Sequence, residues 1–224
     1  MRRALRDNGL SVVFGLLFLL ALVGQALAGH ADTNNHLLVD GGEPVSFWQF
    51  VASSEFAVDV AENWQSEYLQ FFLFILATVW LMQRGSPESK QADDLGGESD
   101  EKQLLGRHVR ADSPAWAKAG GWRTSVFSNS LGLVMAGLFL LSWLTQSVAG
   151  LVTHNADRLA DHQAALDWFG YVVSADFWNR TLQNWQSEFL AIGSMVVLSI
   201  YLRQRGSPES KPVGAAHVTT EESG

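Results

Sequence analysis

The chain reads as an all-α membrane protein with four transmembrane helices. They form two parallel tandem repeats of helix–external loop–helix, with short interfacial helices in the external loops. Three observations predict this class: apolar residues concentrated in four blocks, a self-alignment at a fixed offset, and a lopsided distribution of basic residues.

The blocks come first. Average hydropathy over the 224 residues is close to neutral, because strongly polar stretches separate Leu10–Gly29, Tyr68–Met82, Leu131–Val152 and Phe189–Leu202. A span needs about 20 mostly apolar residues to cross roughly 30 Å of hydrocarbon. The first and third blocks reach that length; the second and fourth reach it only if their helices begin earlier. Spans are therefore expected at about 9–29, 63–83, 129–152 and 184–204. The first has a competing reading. Arg2, Arg3 and Arg6, an apolar run and then Ala26-Leu27-Ala28 resemble a secretory signal with its cleavage site. The mid-chain block has a similar end, Ser147-Val148-Ala149-Gly150, and cannot be a signal, which argues for a retained first helix.

The self-alignment supplies that comparison. Shifting the chain by 121 positions aligns residues 8–90 with 129–211 without a gap, and 31 of the 83 pairs are identical. Asn63-Trp64-Gln65-Ser66-Glu67 recurs as Asn184-Trp185-Gln186-Ser187-Glu188, and Gln83–Lys90 recurs unchanged as Gln204–Lys211. With an even number of spans per unit, the two copies must be parallel. The chain then divides into a first repeat over 1–90, a flexible acidic linker over 91–122, a second repeat over 123–211 and a disordered tail over 212–224.

Basic residues set the orientation. Residues 30–66 contain no Lys or Arg, and the matching 151–187 contain only Arg158 and Arg180. Positive charge stays on the cytoplasmic side, so both termini and the linker are expected inside and both long loops outside. In each loop an aromatic cluster (Phe47, Trp48, Phe50 and Trp168, Phe169, Tyr171) precedes a helix-start signal. Ser53 and Ser174 are placed as N-caps, with Glu55 and Asp176 in the first turn. Each cluster is expected to form a short interfacial helix leading into a helix that begins roughly three turns outside the bilayer. Trp116 to Trp122, at the end of the linker, is expected on the membrane surface. Small residues four apart, Ser11/Gly15 and Gly132/Ala136, predict close helix packing within the chain or against a second copy.

Candidate functional residues fall in the two repeated motifs. A span ending near Arg84 begins close to Asn63, which puts Glu67 about a turn inside the outer boundary and Glu188 at the same depth. One reading of Asn63, Trp64, Gln65, Ser66, Glu67 and Asn184, Trp185, Gln186, Ser187, Glu188 is an outer interface anchored by the two tryptophans. The other is a Glu67/Glu188 pair that shares a proton or binds a cation. The exits Arg84, Gly85, Ser86, Pro87, Glu88 and Arg205, Gly206, Ser207, Pro208, Glu209 read mechanically as a basic anchor, a C′ glycine and a blocking proline. The repeated Glu-Ser-Lys is not needed for that, and a twin docking site for a cytoplasmic protein is the functional alternative.

Other chemistry finds little support. Without cysteine there is neither a disulfide framework nor a thiolate metal site. His154, Asp157, Asp161 and His162 have ligand-like spacing, but the first copy carries Thr33, His36, Asp40 and Gly41 there, and a solvated face is the plainer reading. Asn34/Asn155 and Asp40/Asp161 persist in both copies and suggest loop capping. No basic stripe suits nucleic acid, and neither a Ser-His-Asp set nor a nucleotide loop is visible. No enzymatic activity and no cofactor are expected.

Two units, each with a span, an aromatic loop, an NWQSE helix and an RGSPESK exit, resemble an uncharacterised family of bacterial integral membrane proteins, a domain of unknown function. That resemblance covers nearly the whole chain and implies a bacterial inner-membrane location. The expected partners are the lipid bilayer, possible further copies of the chain and a cytoplasmic protein at the exits. The expected role is a non-enzymatic scaffold or coupling protein, with a small transporter or proton- and cation-handling protein using Glu67/Glu188 as the alternative.

Overall fold

A computed structural model describes residues 7–220. Among the described residues the chain is helical, with no strands. Helices α1 (Gly9–Val39), α2 (Phe47–Val51) and α3 (Ser54–Trp80) are followed by a turn-rich stretch with 3-10 turns at Ala92–Asp94 and Gly106–His108. Then come α4 (Ala115–Ala119), α5 (Gly121–Ser128), α6 (Ser130–Ala160), α7 (Trp168–Val172) and α8 (Ala175–Tyr201). Lengths match across the halves: α1 and α6 have 31 residues, α2 and α7 have five, α3 and α8 have 27.

Two helices, α1 and α6, are long and apolar enough to cross a membrane. The expected spans at 63–83 and 184–204 overlap the C-terminal parts of α3 and α8, which do not reach the same combination of length and apolarity. The cause is visible in their first halves, where acids and amides such as Glu55, Asp59, Glu62, Asn63 and Gln65, or Asp176, Gln183 and Asn184, crowd a helix that turns apolar only near Tyr68 and Phe189. The helices also stop at Trp80 and Tyr201, three residues short of the expected ends.

The chain divides into two compact units, Met1–Ala61 with Thr145–Val172 and Glu62–Leu144 with Val173–Gly224. In the first, each short helix docks on a long one in the same way. The Asn34 side chain donates to Val45 O (3.0 Å) and accepts from Val45 N (2.8 Å). Asn155 does the same to Leu166, at 2.9 and 2.8 Å. A side-chain amide that satisfies both backbone groups of one loop residue fixes where the loop turns back. Glycine permits the next contact. A Cβ on Gly29 would lie 2.7 Å from the Phe50 ring, and one on Gly150 would collide with the Tyr171 hydroxyl. Phe50 and Tyr171 are correspondingly buried. Ser53 and Ser174 cap α3 and α8 by accepting from Phe56 N and Phe177 N, each at 3.2 Å.

What is buried and what is exposed show an unusual division. Buried polar side chains include Gln65, Ser66, Ser86, Gln146, Ser147, Thr181 and Lys211, while Leu10, Phe14, Leu20, Leu131, Leu141, Leu190 and Leu198 are exposed. Water-soluble proteins seldom leave such continuous apolar surface uncovered. Positions 15 and 132, where close helix approach was expected, are open: a Cβ at either glycine meets no described atom within 4 Å.

Candidate functional site

Both repeated motifs come together in the second unit, along α3 and α8. The NWQSE copies touch directly. Trp185 Nε1 donates to Gln65 Oε1 at 2.8 Å, and the Gln65 amide nitrogen donates back to Glu62 O at 3.1 Å. One turn outward, Arg180 pairs with Glu62 at 3.1 Å. The copies are not equivalent. Gln65 and Ser66 are buried, whereas Gln186 and Ser187 are exposed, and Trp64 is on the surface while Trp185 is half-buried. Asn184 donates to Arg180 O one turn back, and Asn63 accepts from the Ser66 hydroxyl through its carbonyl. Glu67 is exposed and Glu188 half-buried, close enough for the charge of Glu67 to act on Glu188. The motif therefore does two things: an amide–indole bond holds the helices, and two carboxylates sit near one another.

The exits give the larger surprise, because the eight identical residues fold identically. Gln83 N donates to Ser89 Oγ (2.8 Å) and Gln204 N to Ser210 Oγ (2.9 Å). Ser86 N donates to Gln83 O (3.1 Å) and Ser207 N to Gln204 O (3.2 Å). Glu88 N and Glu209 N donate to the hydroxyls of Ser86 and Ser207 at 3.4 and 3.2 Å. Gly85 and Gly206 take φ of +89° and +83°, which any other residue resists. Both serines thus lock the loop. The lysine then gathers the segment C-terminal to it. Lys90 donates to Gly96 O (3.1 Å) and pairs with Glu98 (2.9 Å). Lys211, 1% exposed, donates to Ala216 O (3.3 Å), His217 O (2.9 Å), Thr219 O (3.1 Å) and, in the other exit, Gly85 O (2.6 Å). Residues 212–220 run through turns that return to the exits, and residues 221–224 of the expected disordered tail lie outside the described residues. Lys211 draws the segment in, since a buried ammonium needs carbonyl partners and the tail supplies three.

The exits also meet through their acids. Glu88 is held above the ordinary carboxylate range, first by burial and then by a hydrogen bond and charge repulsion from Glu209. Of the candidate docking residues, Gly85 and Ser86 are buried and unavailable to a partner, and Pro87 and Glu88 are half-buried. Arg84, Arg205, Gly206, Pro208 and Glu209 are exposed. An apolar cleft of about 420 Å³ lies between the last turns of α3 and α8, with Glu88 and Ser86 in its lining. His154, one of the spaced ligand candidates, stacks on Tyr171 at 5.3 Å, and no group of three potential ligands gathers among the described residues.

Sequence reasoning missed the lysine cage and the glycine–aromatic docking. Both left a signal in the self-alignment: Lys90/Lys211 and Gly29/Gly150 are identical, and Phe50/Tyr171 are both aromatic.

These features define an all-helical protein with two candidate membrane-spanning helices, its two helix exits locked together. The family model described as "Domain of unknown function (DUF6766)" matches residues 1–222, and the chain belongs to that family. An uncharacterised family was expected from the repeated motifs. No curated protein and no solved structure matches the chain.

Proposed function

We propose that the chain is a non-enzymatic integral membrane protein of the bacterial inner membrane, a scaffold or coupling protein built from two parallel tandem copies with four spans. Both termini and the exits face the cytoplasm, and the loops carrying α2 and α7 face outward. The observation that carries this reading is the joining of the two exits through Lys211 and Gly85 O and through Glu88 and Glu209. Such joining makes one firm cytoplasmic surface from two copies, with Arg84 and Arg205 available to an acidic partner. The membrane assignment is supported by burial. Only 6% of the apolar stretch of α1 and 11% of that of α6 is covered by the chain itself, whereas the core helix of a soluble protein is mostly covered. At about 1.5 Å per residue, 31 residues reach about 46 Å, enough to cross and project outward. The equal helix lengths in the two halves support the repeat.

The absence of cysteine gives a direct test. Single cysteines at Ser46 and Asp167 should react with an impermeant maleimide in intact spheroplasts, and ones at Ser99 and Val213 only after permeabilisation. Labelling of Ser46 and Ser99 from the same side would remove α3 as a span. Arg84→Glu with Arg205→Glu should abolish recruitment of a cytoplasmic partner while leaving folding intact; unchanged recruitment would end the docking idea.

The proximity of Glu67 to Glu188 favours one second reading, proton or cation handling. Glu67→Gln with Glu188→Gln should then abolish ion flux in proteoliposomes. Flux indifferent to both changes would leave the pair a structural role.

A further inference from the structure

We propose that the cleft between the last turns of α3 and α8 holds an acyl chain of an aminophospholipid, whose ammonium group rests on the Glu88–Glu209 carboxyl pair. This rests on the four-span reading, which puts the cleft where the cytoplasmic leaflet meets water.

The cleft has the size and walls for it. About 420 Å³ falls within the range of small-ligand pockets. Its walls are Phe74, Ala77 and Leu81 on one side and Ile192 and Val196 on the other. The hydroxyl of Thr78 donates to Phe74 O (3.0 Å) and Ile75 O (3.1 Å) and so asks nothing of an occupant. Gly193 lines the cleft, and a Cβ there would meet nothing within 4 Å. Its counterpart in the first repeat is Phe72, so the hollow exists on the α8 side because a ring is missing. These walls suit hydrocarbon, and the polar lining residues Gln83, Ser86, Glu88 and Ser89 all belong to the exit of the first repeat.

The rim selects the headgroup. Two carboxylates held side by side repel each other. An ammonium between them can donate to both and relieve that repulsion. A quaternary choline group has no N–H and cannot do this. Arg84 and Arg205 each stand four residues before the glutamate of their own exit and are exposed, which supplies positive charge for the adjoining phosphate. The charge pattern is that of a zwitterionic amine headgroup, negative for the amine and positive for the phosphate.

The test uses the full chain in proteoliposomes of phosphatidylethanolamine and phosphatidylcholine in equal amounts with phosphatidylglycerol. Lipids retained after mild detergent extraction are counted by native mass spectrometry. Wild type should retain phosphatidylethanolamine over phosphatidylcholine by about tenfold, the ratio one charged hydrogen bond supplies. Glu88→Gln with Glu209→Gln should keep a bound lipid but reduce the preference to parity. Gly193→Phe, a helix-compatible change that refills the hollow, should lose the bound lipid. Equal retention of the two lipids by wild type, or an undiminished preference in the glutamine variant, overturns the proposal. So does a lipid retained after Gly193→Phe. Maleimide labelling of Ser99→Cys in the same vesicles separates the two failures. Lost preference with correct sidedness overturns the lipid site alone, and wrong sidedness overturns the four-span reading beneath it.

Discussion

Replacing Lys211 with methionine probes the exits most sharply. Methionine keeps most of the length and apolar stem but removes an ammonium that donates to Gly85 O, Ala216 O, His217 O and Thr219 O at 2.6 to 3.3 Å. An ammonium has three protons, so three of these are strong at any moment. Each charged hydrogen bond is worth about 1.5–3 kcal/mol, offset by the cost of keeping the ammonium out of water. Carbonyls that can rotate to water recover part of the loss, and a net cost of about 2–4 kcal/mol is expected. The remaining ties of the tail are scattered rather than gathered on one group: Arg203 to Ala215 O (3.0 Å) and to the His217 ring (3.5 Å), the His217 ring to Ile200 O (2.9 Å) and Gly85 N to Thr220 Oγ1 (3.0 Å). The tail should therefore open locally before the helices do. Hydrogen exchange measured by mass spectrometry should show protection at 203–220 and around Gly85 falling by roughly 30- to 1,000-fold, the factor that free energy implies. Lys90→Met, which removes only the ties to Gly96 O and Glu98, should loosen 91–98 and spare the tail. Unchanged exchange at both 83–90 and 212–220 in the Lys211 variant would refute the account of the tail as held by this side chain.

Three further outcomes rest on named contacts. Because Glu88 is raised above 4.5 when folded, its contribution to stability is complete below that value and is lost as pH rises through the folded value. Relative to the intrinsic exchange rate at each pH, the exits should be better protected at pH 5 than at pH 7.5, and Glu88→Gln should flatten that difference. Asn155→Ala leaves both backbone groups of Leu166 without their side-chain partners, costing about 1–3 kcal/mol, read as a lower Tm and faster proteolysis at 161–167. Gly150→Ala sets a methyl against the Tyr171 hydroxyl and should destabilise by about 1–3 kcal/mol, with Tyr171→Phe recovering part of it in a double-mutant cycle.

Local patterning made much of the fold legible. The serine caps and aromatic clusters named the starts of α3 and α8 and the positions of α2 and α7, because capping is decided within one turn of the chain. The identical Asn34 and Asn155 pointed to loop capping for the same reason. The ties of the tail were not legible. Its composition resembles a disordered segment, and its order comes from one lysine whose partners lie five to eight residues ahead, with another in the opposite exit. At the site, the repeat put Glu67 and Glu188 at the same depth, but the Trp185–Gln65 bond could not be read from it. Equal sequences imply equal roles, and here one glutamine is buried while its twin is exposed, a choice made by which helix face meets the neighbour. Nor did the motif foretell that Glu88 and Glu209 would meet, since loop ends approach each other only once their helices have packed.

The two copies of QRGSPESK share one backbone pattern but not one environment. In the first, Gly85, Ser86 and Ser89 are covered, while in the second Gln204, Arg205, Gly206, Pro208 and Glu209 face outward. Ser210 and Lys211 are covered too, so an antibody raised against the shared QRGSPE segment would meet one open epitope on the intact protein and two on the unfolded chain. The duplication thus gives the molecule an internal gauge of its own integrity: the ratio of bound antibody to protein reports, without any label, whether the exits are still locked.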